Sequence, residues 1–502
     1  MESYRTLSKT ERERENQHFI DFKQMMKFKT VKKFSKHYRT RGTLGRGQFG
    51  MVMLGYHTGT EVPCAIKMIK KEEIARHEIL KQLNKQELEI LEETPHPHIT
   101  RIFELMEDAT YYYIIAELMI GGDLYGQVKT LNGLSEEQAA HITRQVLLAL
   151  NFMHLKNIMH RDLKPENILC ENKVRNKSEK IYVKLTDFGF ATKHDPNGPK
   201  ESFALGTPLY MAPELHKRSE YDNKVDVWST GILAYFMLLG QEPFKVVPYD
   251  AAKLSKLVIN SEPDYKELPK TVSADAVDFI KRALTKDPSA RPTAAELLSS
   301  NWLKSLEHQL DEQVEREHTQ NMMSFAQTTN FQSLVCSVMA NLISESAQLA
   351  QLRETFVRWD TDQNGTLSYE ELKANMQDIR KSLGYENSAV MAMMEAADSN
   401  GDGQVDYTEF ITAAYNKKKL IEEASLEKAF KIFDSDGNGV ITAQELKGVM
   451  GGSIVALEKG GGESMWEELL RTADADGDGT ISFAEFKACM YEVVKRRAAS
   501  HA

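Results

Sequence analysis

The octapeptide His-Arg-Asp-Leu-Lys-Pro-Glu-Asn, residues 160–167, decides the fold of this 502-residue chain. It holds an acid, a cation and an amide at fixed offsets, at Asp162, Lys164 and Asn167. Four other segments surround it in a definite order. Upstream lie LGRGQFGMV (44–52) and CAIK (64–67), and downstream lie DFG (187–189) and APE (212–214). Eight residues can match a motif by chance, but five segments in one order do not.

In this order the five segments resemble the signature set of the protein kinases. The resemblance covers residues 38–303 and implies a two-lobed α+β fold with ATP bound between the lobes. It implies that Asp162 accepts the proton of the substrate hydroxyl and that Lys164 steadies the transferred phosphoryl group. Asn167 and Asp187 are then the magnesium ligands. The sequence HRDLKPEN, rather than the tyrosine-kinase form of this loop, indicates Ser/Thr acceptors.

The glycine-rich segment fits the same interpretation. Gly45, Gly47 and Gly50 let a turn approach the nucleotide phosphates closely, because any Cβ there would collide with them. Dinucleotide-binding folds also use GxGxxG, but there a helix follows. Here Val52 and a second strand follow, and Lys67 comes on the next strand. We therefore expect Lys67 to contact the α and β phosphates.

The resemblance also assigns an acidic partner to Lys67 on the following helix. Glu87, three residues before Ile90, occupies that position, and Glu89 is the alternative. Lys67, Asp162 and the magnesium ligands are all present, which disfavours a degenerate kinase fold that only binds partners.

The resemblance assigns the nucleotide pocket to residues on both sides of the hinge between the lobes. Leu44, Val52, Ala65 and Leu169 enclose the adenine, backbone groups of Glu117 and Met119 bind its edge, and Asp123 meets the ribose. Ala116, a small residue, is the gatekeeper behind the adenine. Glu166 and Asp123 place carboxylates near the peptide groove, which favours basic residues before the acceptor. Where many kinases carry a phosphorylatable Thr this chain has Phe203, so Glu201 or Ser202 is the nearest candidate partner for Arg161.

The C-terminal third has a different chemistry. Residues 345–497 hold 28 acidic and 17 basic residues, a net charge of −11 against −10 for the whole chain. Four twelve-residue segments repeat there, at 360–371, 398–409, 434–445 and 474–485. Each fits the EF-hand template, with oxygen ligands at positions 1, 3 and 5, Gly at 6 and Glu at 12. A solvated acidic face would not require the four glycines.

All four loops are predicted to bind calcium, which prefers six to eight oxygen ligands. The predicted ligands, including those that act through a backbone carbonyl, are Asp360, Asp362, Asn364, Thr366, Glu371, Asp398, Asn400, Asp402, Gln404, Asp406, Glu409, Asp434, Asp436, Asn438, Val440, Glu445, Asp474, Asp476, Asp478, Thr480 and Glu485. Loops 2 and 4 have the most carboxylates and are expected to bind most tightly.

Residues 304–350 join the two parts. Apolar residues from Phe331 to Ile343 recur at i, i+3, i+4 and i+7, which indicates an amphipathic helix. Either this helix packs permanently on a neighbour, or it moves between the kinase lobe and the opened EF-hands. No Lys or Arg lies between Arg316 and Arg353. Inhibition by a basic pseudosubstrate is therefore not expected.

This arrangement resembles the calcium-dependent protein kinases of plants and protists. The segments are an N-terminal extension (1–37), a kinase domain (38–303), an autoinhibitory junction (304–350) and an all-α calmodulin-like domain (351–497). The resemblance implies a Ser/Thr kinase that uses ATP and Mg²⁺ and is activated by Ca²⁺. The alternative is a calcium-sensing scaffold with a kinase-like fold.

The cysteine content and the N-terminal sequence bear on the compartment of the protein. Four scattered cysteines without a CxxC pair indicate a reducing compartment. The first residues show neither an apolar signal segment nor a Gly at position 2 for myristoylation. We expect a cytoplasmic monomer that binds ATP and protein substrates, and no nucleic acid. The basic segment from Lys23 to Arg41 either meets a membrane surface or packs on the kinase lobe.

Overall fold

The structure is a computed structural model. It describes residues 29–47, 50–72, 90, 94–195, 201, 205–304, 312–341, 347–377, 387–417, 421–450 and 464–499. Within these ranges, no helix combines the length and apolar character needed to cross a bilayer.

The N-terminal lobe is built on one six-stranded sheet in the order β1-β5-β6-β4-β3-β2. Its strands are β1 (Lys29–Thr30), β2 (Tyr38–Gly47), β3 (Gly50–His57), β4 (Pro63–Lys70), β5 (Ile102–Glu107) and β6 (Tyr111–Glu117). β1 runs parallel to β5 and joins the N-terminal extension to the sheet. Phe34 stacks on Tyr113 at 3.8 Å between ring centroids, so part of the extension packs on this lobe.

The C-terminal lobe of the kinase is helical. Its helices are α1 (Leu124–Leu131), α2 (Glu136–Leu155), α3 (Pro213–His216), α4 (Lys224–Leu239), α5 (Ala251–Asn260), α6 (Ala274–Ala283), α7 (Ala294–Leu298) and α8 (Asn301–Lys304). Ser135 and Gln138 form a capping box that begins α2. Four short strands beside the cleft carry the catalytic segments: β7 (Ile158–Met159), β8 (Ile168–Cys170), β9 (Val183–Leu185) and β10 (Thr192–Lys193).

The C-terminal third consists of paired EF-hands. Its helices are α11 (Ala347–Trp359), α12 (Tyr369–Asn375), α13 (Asn387–Ala397), α14 (Tyr407–Ala414), α15 (Glu423–Phe433), α16 (Ala443–Met450), α17 (Ser464–Arg471) and α18 (Phe483–Ala499). Short antiparallel pairs join loop 1 to loop 2 and loop 3 to loop 4. They are formed by β11 (Thr366–Leu367) with β12 (Val405–Asp406) and by β13 (Val440–Ile441) with β14 (Ile481–Ser482). The predicted fold class, a two-lobed kinase followed by an all-α calmodulin-like domain, is confirmed.

Between residues 312 and 341, the described part of the junction forms two helices, α9 (Glu312–Phe325) and α10 (Asn330–Asn341). They are separated at Thr329, whose hydroxyl accepts the amide proton of Gln332 at the start of α10. The predicted apolar stripe lies on α10, where Phe331, Leu334 and Val335 are fully buried in a core shared with the EF-hands. The last two residues of the stripe, Leu342 and Ile343, lie outside the described residues.

Candidate functional site

The carboxylate of Asp162 lies at the centre of a hydrogen-bonded group in the cleft. Asp162 is only 4% exposed. Its Oδ2 accepts from Lys164 Nζ at 2.7 Å and from Asn167 Nδ2 at 3.1 Å. Its Oδ1 accepts from the Thr207 hydroxyl at 2.7 Å. These donors fix the carboxylate in one orientation, as a general base requires.

Thr207 reaches Asp162 because of the glycine before it. Gly206 has φ +116°, and a Cβ there would lie 2.5 Å from the carbonyl oxygen of Arg161. Glycine is therefore required for this close approach. Lys164 Nζ also donates to Thr207 Oγ1 at 3.0 Å, so the hydroxyl joins the predicted acid and cation.

Arg161 links this group to the activation segment. Its Nη1 lies 3.7 Å from Glu201 Oε2 and donates to the Tyr221 hydroxyl at 3.2 Å. Of the two candidate partners, Ser202 lies outside the described residues. The Arg161 side chain is buried and Glu201 is about one-third exposed. The acid therefore supplies a negative charge at Arg161 without phosphorylation.

Lys67 and Asp187 meet across the cleft. Lys67 Nζ donates to Asp187 Oδ1 at 3.0 Å, and the Lys67 ammonium lowers the pKa of that carboxyl below its usual value. Both Glu87 and Glu89, the candidates for the ion pair with Lys67, lie outside the described residues. Gly45 and Gly47 lie at the end of β2, and Gly50 lies at the start of β3, where the two strands are connected.

Asn167 and Asp187 provide a donor set that fits a magnesium ion. The Asn167 amide nitrogen donates to the backbone oxygen of Asp162 at 2.9 Å, which turns its amide oxygen to the opposite side. The Asp187 side chain is 38% exposed and carries a carboxylate. Magnesium prefers oxygen ligands and is bound through one or two of them together with substrate phosphates. The pair suits this ion.

A buried ion pair between Glu117 and Lys184 fixes the end of β6, where the hinge begins. Glu117 Oε1 accepts from Lys184 Nζ at 2.7 Å and from the backbone N–H of Arg101 at 2.6 Å. Burial opposes ionisation of Glu117, but Lys184 and Arg101 outweigh it, so the pKa of Glu117 is lowered. The Glu117 side chain thus fixes the hinge, and the backbone from Glu117 to Met119 borders the cleft.

The remaining predicted pocket residues lie around the same cleft. Ala116 is opposite Ala65 on β4 and Ile102 on β5. Val52 is opposite Lys67 on β4, and Leu44 is exposed on β2. Leu169 and Asp123 form a bridge below the hinge.

Asp123 also has a structural role. Its side chain accepts the amide proton of Gly126 and caps α1. Burial raises the pKa of Glu166, to which the charges of Asp123 and Glu242 add. This acidic group lies beside Tyr210, whose hydroxyl is 3.4 Å from Glu242.

The four calcium loops share one hydrogen-bond pattern. The Glu at position 12 accepts the amide proton of position 2, at distances of 2.8–2.9 Å. The Asp at position 1 accepts the amide proton of the Gly at position 6, at 2.8–3.0 Å. These bonds fold each loop around its carboxylates.

The converging carboxylates fit a calcium ion. In loops 1, 3 and 4, three carboxylate oxygens lie within 4.8 Å of one another. They come from Asp360, Asp362 and Glu371, from Asp434, Asp436 and Glu445, and from Asp474, Asp476 and Asp478. The first and last ligands of loops 1 and 2 are buried, whereas those of loop 4 are half-buried. Burial accordingly raises the pKa of Asp360 to about 7 and raises that of Glu409 above its usual value. In loop 4, hydrogen bonds from Ser482 lower the pKa of Glu485 to about 2.

The other predicted ligands lie on the same loops. Asn364, Asn438 and Asp478 occupy position 5, and Thr366, Val440 and Thr480 follow the position-6 glycine. Thr366 and Val440 begin β11 and β13, and Thr480 directly precedes β14. In loop 2, Asn400, Asp402, Gln404 and Asp406 lie between Asp398 and Glu409, and Asp406 caps α14.

Sequence reasoning missed two contributors to the cleft. Neither Thr207 nor Lys184 belongs to the sequence motifs from which the site was predicted. Both act through contacts between segments far apart in the chain, 45 residues for Thr207–Asp162 and 67 for Lys184–Glu117.

Comparison with known proteins agrees with this geometry. Residues 38–303 match the model of the protein kinase domain, and residues 349–415 and 423–491 match that of the EF-hand domain pair. The chain is 34% identical over 466 residues to calcium-dependent protein kinase 21 of Arabidopsis thaliana, a match that covers 92% of this chain and 84% of the relative.

Two further relatives are similar over most of the chain. The chain is 33% identical over 475 residues to calcium-dependent protein kinase 4 of Plasmodium falciparum (isolate 3D7), covering 90% of this chain and 86% of the relative. It is 32% identical over 413 residues to calcium-dependent protein kinase 2 of Zea mays, covering 81% and 77%. The chain belongs to the calcium-dependent protein kinases and is a calcium-activated Ser/Thr protein kinase that uses ATP.

Proposed function

We propose that phosphoryl transfer in this kinase uses Asp162 as the base, with Lys164 and Lys67 as the phosphate-binding cations. The observation that carries the proposal is the group formed by Asp162, Lys164, Asn167 and Thr207. A phosphoryl transition state needs positioned positive charge and a base rather than covalent help. Asp162 orients the acceptor hydroxyl and takes its proton, while Lys164 remains close to the transferred group.

Asn167 and Asp187 are proposed as magnesium ligands. A bound magnesium ion neutralises phosphate charge and orients the triphosphate. The orientation of the Asn167 amide by Asp162 and the partly exposed Asp187 carboxylate support this role. Lys67 is directed toward the same position by its contact with Asp187.

We further propose that protein substrates carry basic residues before the acceptor Ser or Thr. Glu166, Asp123 and Glu242 support this preference because they interact electrostatically at the edge of the cleft. We also propose that the protein is a monomer and that it lies in the cytoplasm. Its four scattered cysteines support a reducing compartment.

The junction is proposed to inhibit the kinase sterically or by conformation, since residues 317–352 contain no Lys or Arg that could form a basic pseudosubstrate. Burial of α10 among the EF-hands supports a released state in which the junction leaves the kinase cleft.

The test is phosphorylation of a basic Ser peptide by the purified full chain, titrated with calcium. Lys67→Met and Asp162→Asn should each reduce calcium-stimulated activity by about 10³-fold or more. Lys70→Met, on the exposed end of the same strand as Lys67, is the matched control and should retain activity. Full activity in Asp162→Asn would contradict the assigned base.

A further inference from the structure

The first calcium loop differs from the other three at position 4. That position is Gln363, with φ +59°, whereas loops 2, 3 and 4 have Gly401, Gly437 and Gly477 in the same left-handed region. A side chain is disfavoured there, because its Cβ crowds the following carbonyl oxygen. The Gln363 carbonyl accepts a hydrogen bond from Asn151 Nδ2 at 2.7 Å. Asn151 belongs to α2 of the kinase domain, so the kinase holds this unusual turn.

The next glycine of loop 1 also contacts the kinase. A Cβ on Gly365 would lie 2.3 Å from the ring of Phe152, the neighbour of Asn151 on α2. The equivalent glycines of the other loops, Gly403, Gly439 and Gly479, have nothing within 4 Å of that position. Loop 1 is therefore packed against α2 in a way that loops 2, 3 and 4 are not.

The helix that leads into loop 1 is fixed to the kinase as well. Arg353 of α11 is 4% exposed and forms an ion pair with Glu171, after β8. Its guanidinium lies 4.1 Å from the ring centroid of Tyr182, which precedes β9. The Tyr182 hydroxyl donates to Glu354 at 2.5 Å. Both α11 and the loop that follows it are thus positioned by the kinase domain.

The docked loop already has the geometry of a cation site. Oxygens of Asp360, Asp362 and Glu371 lie within 4.8 Å of one another while Gln363 and Gly365 contact α2. Calcium changes the relation between the helices that flank an EF-hand loop. Since the kinase holds the entering helix and the turn, docking and calcium binding at loop 1 must be energetically linked.

We propose that the kinase domain is part of the scaffold of the first calcium site, so that docking of loop 1 on α2 and calcium binding in loop 1 stabilise each other. Loops 3 and 4 bind calcium without this support. The inference rests on the proposed release of the kinase through the junction when the EF-hands bind calcium. Under this proposal, the calcium occupancy of site 1 depends on contact with the kinase as well as on the calcium concentration.

The test compares two full-length proteins that each keep one functional loop. Glu409→Gln, Glu445→Gln and Glu485→Gln leave site 1, whereas Glu371→Gln, Glu409→Gln and Glu445→Gln leave site 4. Calcium affinity is measured by competition with a chromophoric chelator. Asn151→Ala should raise the Kd of site 1 about threefold to tenfold, as expected for one lost hydrogen bond. It should leave the Kd of site 4 unchanged.

Two further variants complete the experiment. Tyr182→Phe removes the hydroxyl bound to Glu354 and should also weaken site 1. Glu137→Ala, at an exposed position of the same helix α2, should leave both sites unchanged. An unchanged Kd of site 1 in both Asn151→Ala and Tyr182→Phe, or an equal shift at site 4, would overturn the proposal.

The same measurements separate this inference from the proposed function. One outcome would overturn the inference alone. In that outcome, the protein with four intact loops shows calcium-stimulated phosphorylation, but the variant that keeps only loop 1 binds no calcium. Lack of any calcium stimulation in the protein with four intact loops would overturn the proposed release of the kinase through the junction.

Discussion

Ala116 is the residue with the largest expected influence on ligand selection. It lies on β6 between Ala65 of β4 and Ile102 of β5, and it is half-buried. We expect the Ala116 methyl group to leave room behind the adenine that a longer side chain would fill. We also expect ATP to contact the hinge backbone, Lys67 and Lys164, so that this room costs ATP little. Inhibitors with a bulky aryl group can use it.

Ala116→Met should weaken such an ATP-competitive inhibitor by more than tenfold, about 1.4 kcal/mol or more. The Michaelis constant for ATP should remain nearly unchanged. The measurement is inhibition of peptide phosphorylation in both proteins, and the control is the same inhibitor scaffold without its aryl group. An identical response of wild type and Ala116→Met to the bulky compound would show that Ala116 does not line the pocket.

At this scale the sequence indicated which catalytic candidates lie together, because catalytic motifs are short and local. Asp162, Lys164 and Asn167 lie within six residues, and the structure joins them through one carboxylate. Thr207 and Lys184 were not predicted, because their roles depend on how distant segments approach. For Thr207 that approach depends on the absence of a Cβ at Gly206.

Among the elements, α10 connects the calcium sensor to the kinase. Leu334 is fully buried and Val338 is 6% exposed in the core shared with the EF-hands. Phe331 packs edge-on against Phe486 of α18, with ring centroids 6.1 Å apart. At the other end of α10, the carbonyl oxygen of Ala340 accepts from Arg101 of the kinase at 3.2 Å. A change in the position of α10 therefore alters contacts in both domains.

Replacing Leu334 and Val338 by Asp should reduce calcium stimulation of the kinase severalfold. A buried, unpaired carboxylate costs several kcal/mol, so the EF-hands would bind α10 poorly. Ser337→Asp, at a half-buried position of the same helix, is the matched control and should have a smaller effect. The assay is phosphorylation with and without calcium. Higher activity without calcium would show that α10 inhibits the kinase directly, and unchanged activity would show that it only tethers the domains.

The contact between α9 and α11 should make stability depend on pH. His318 of α9 is buried and lies 2.8 Å from the Thr355 hydroxyl of α11. Burial lowers the pKa of His318 to about 4, although the charge of Glu317 opposes this. A histidine with a lowered pKa stabilises the folded state fully above the unfolded value of about 6.5, and this contribution falls as the pH drops toward 4.

His318→Gln should remove this dependence while retaining a polar side chain of similar size. The free energy of unfolding of His318→Gln minus that of wild type should increase by about 1.4 kcal/mol between pH 7.5 and pH 5.5. Denaturant unfolding at pH 7.5 and 5.5 measures the difference. Other buried histidines, such as His96 and His141, are present in both proteins and cancel. A constant difference across this range would contradict a neutral, buried His318.

At the scale of elements, prediction succeeded where burial is apolar and failed where it is polar. The stripe that begins at Phe331 and Leu334 identified α10. Helix α9 was not distinguished from it, because His318, Thr319 and Asn321 are buried with hydrogen-bond partners instead of apolar contacts. The break between the helices depends on the cap at Thr329, which is a local signal but a short one.

Across the whole molecule, the EF-hands contact both lobes of the kinase. Loop 1 and α11 lie against the C-terminal lobe through Gln363 and Arg353. Near the N-terminal lobe, Lys431 of α15 approaches Gly59 in the turn between β3 and β4. The order of the domains could be predicted from motifs, but this arrangement could not. It depends on single contacts such as Arg353–Glu171, which join residues 182 positions apart.

The C-terminal pair of loops should determine the calcium threshold, because it holds most of the contacts to α10. Glu445 and Glu485 each accept the amide proton of position 2 in their loops. Their loops are joined by the β13–β14 pair, so an ion in one favours the geometry of the other. Moving a two-state junction from nearly all inhibited to nearly all active needs about 5.5 kcal/mol of differential binding. Several calcium ions acting together can supply this energy.

Replacing Glu445 and Glu485 by Gln should raise the calcium concentration for half-activation by more than tenfold and make the activation curve less steep. Each substitution removes one carboxylate charge and the bidentate ligand at position 12. The control is Glu467→Gln with Glu468→Gln on the exposed face of α17, which changes the net charge equally without touching a loop. Calcium titration of peptide phosphorylation compares the two double variants. If both show the wild-type half-activation, loops 3 and 4 do not operate the switch, and loops 1 and 2, which lie nearer the kinase, must do so.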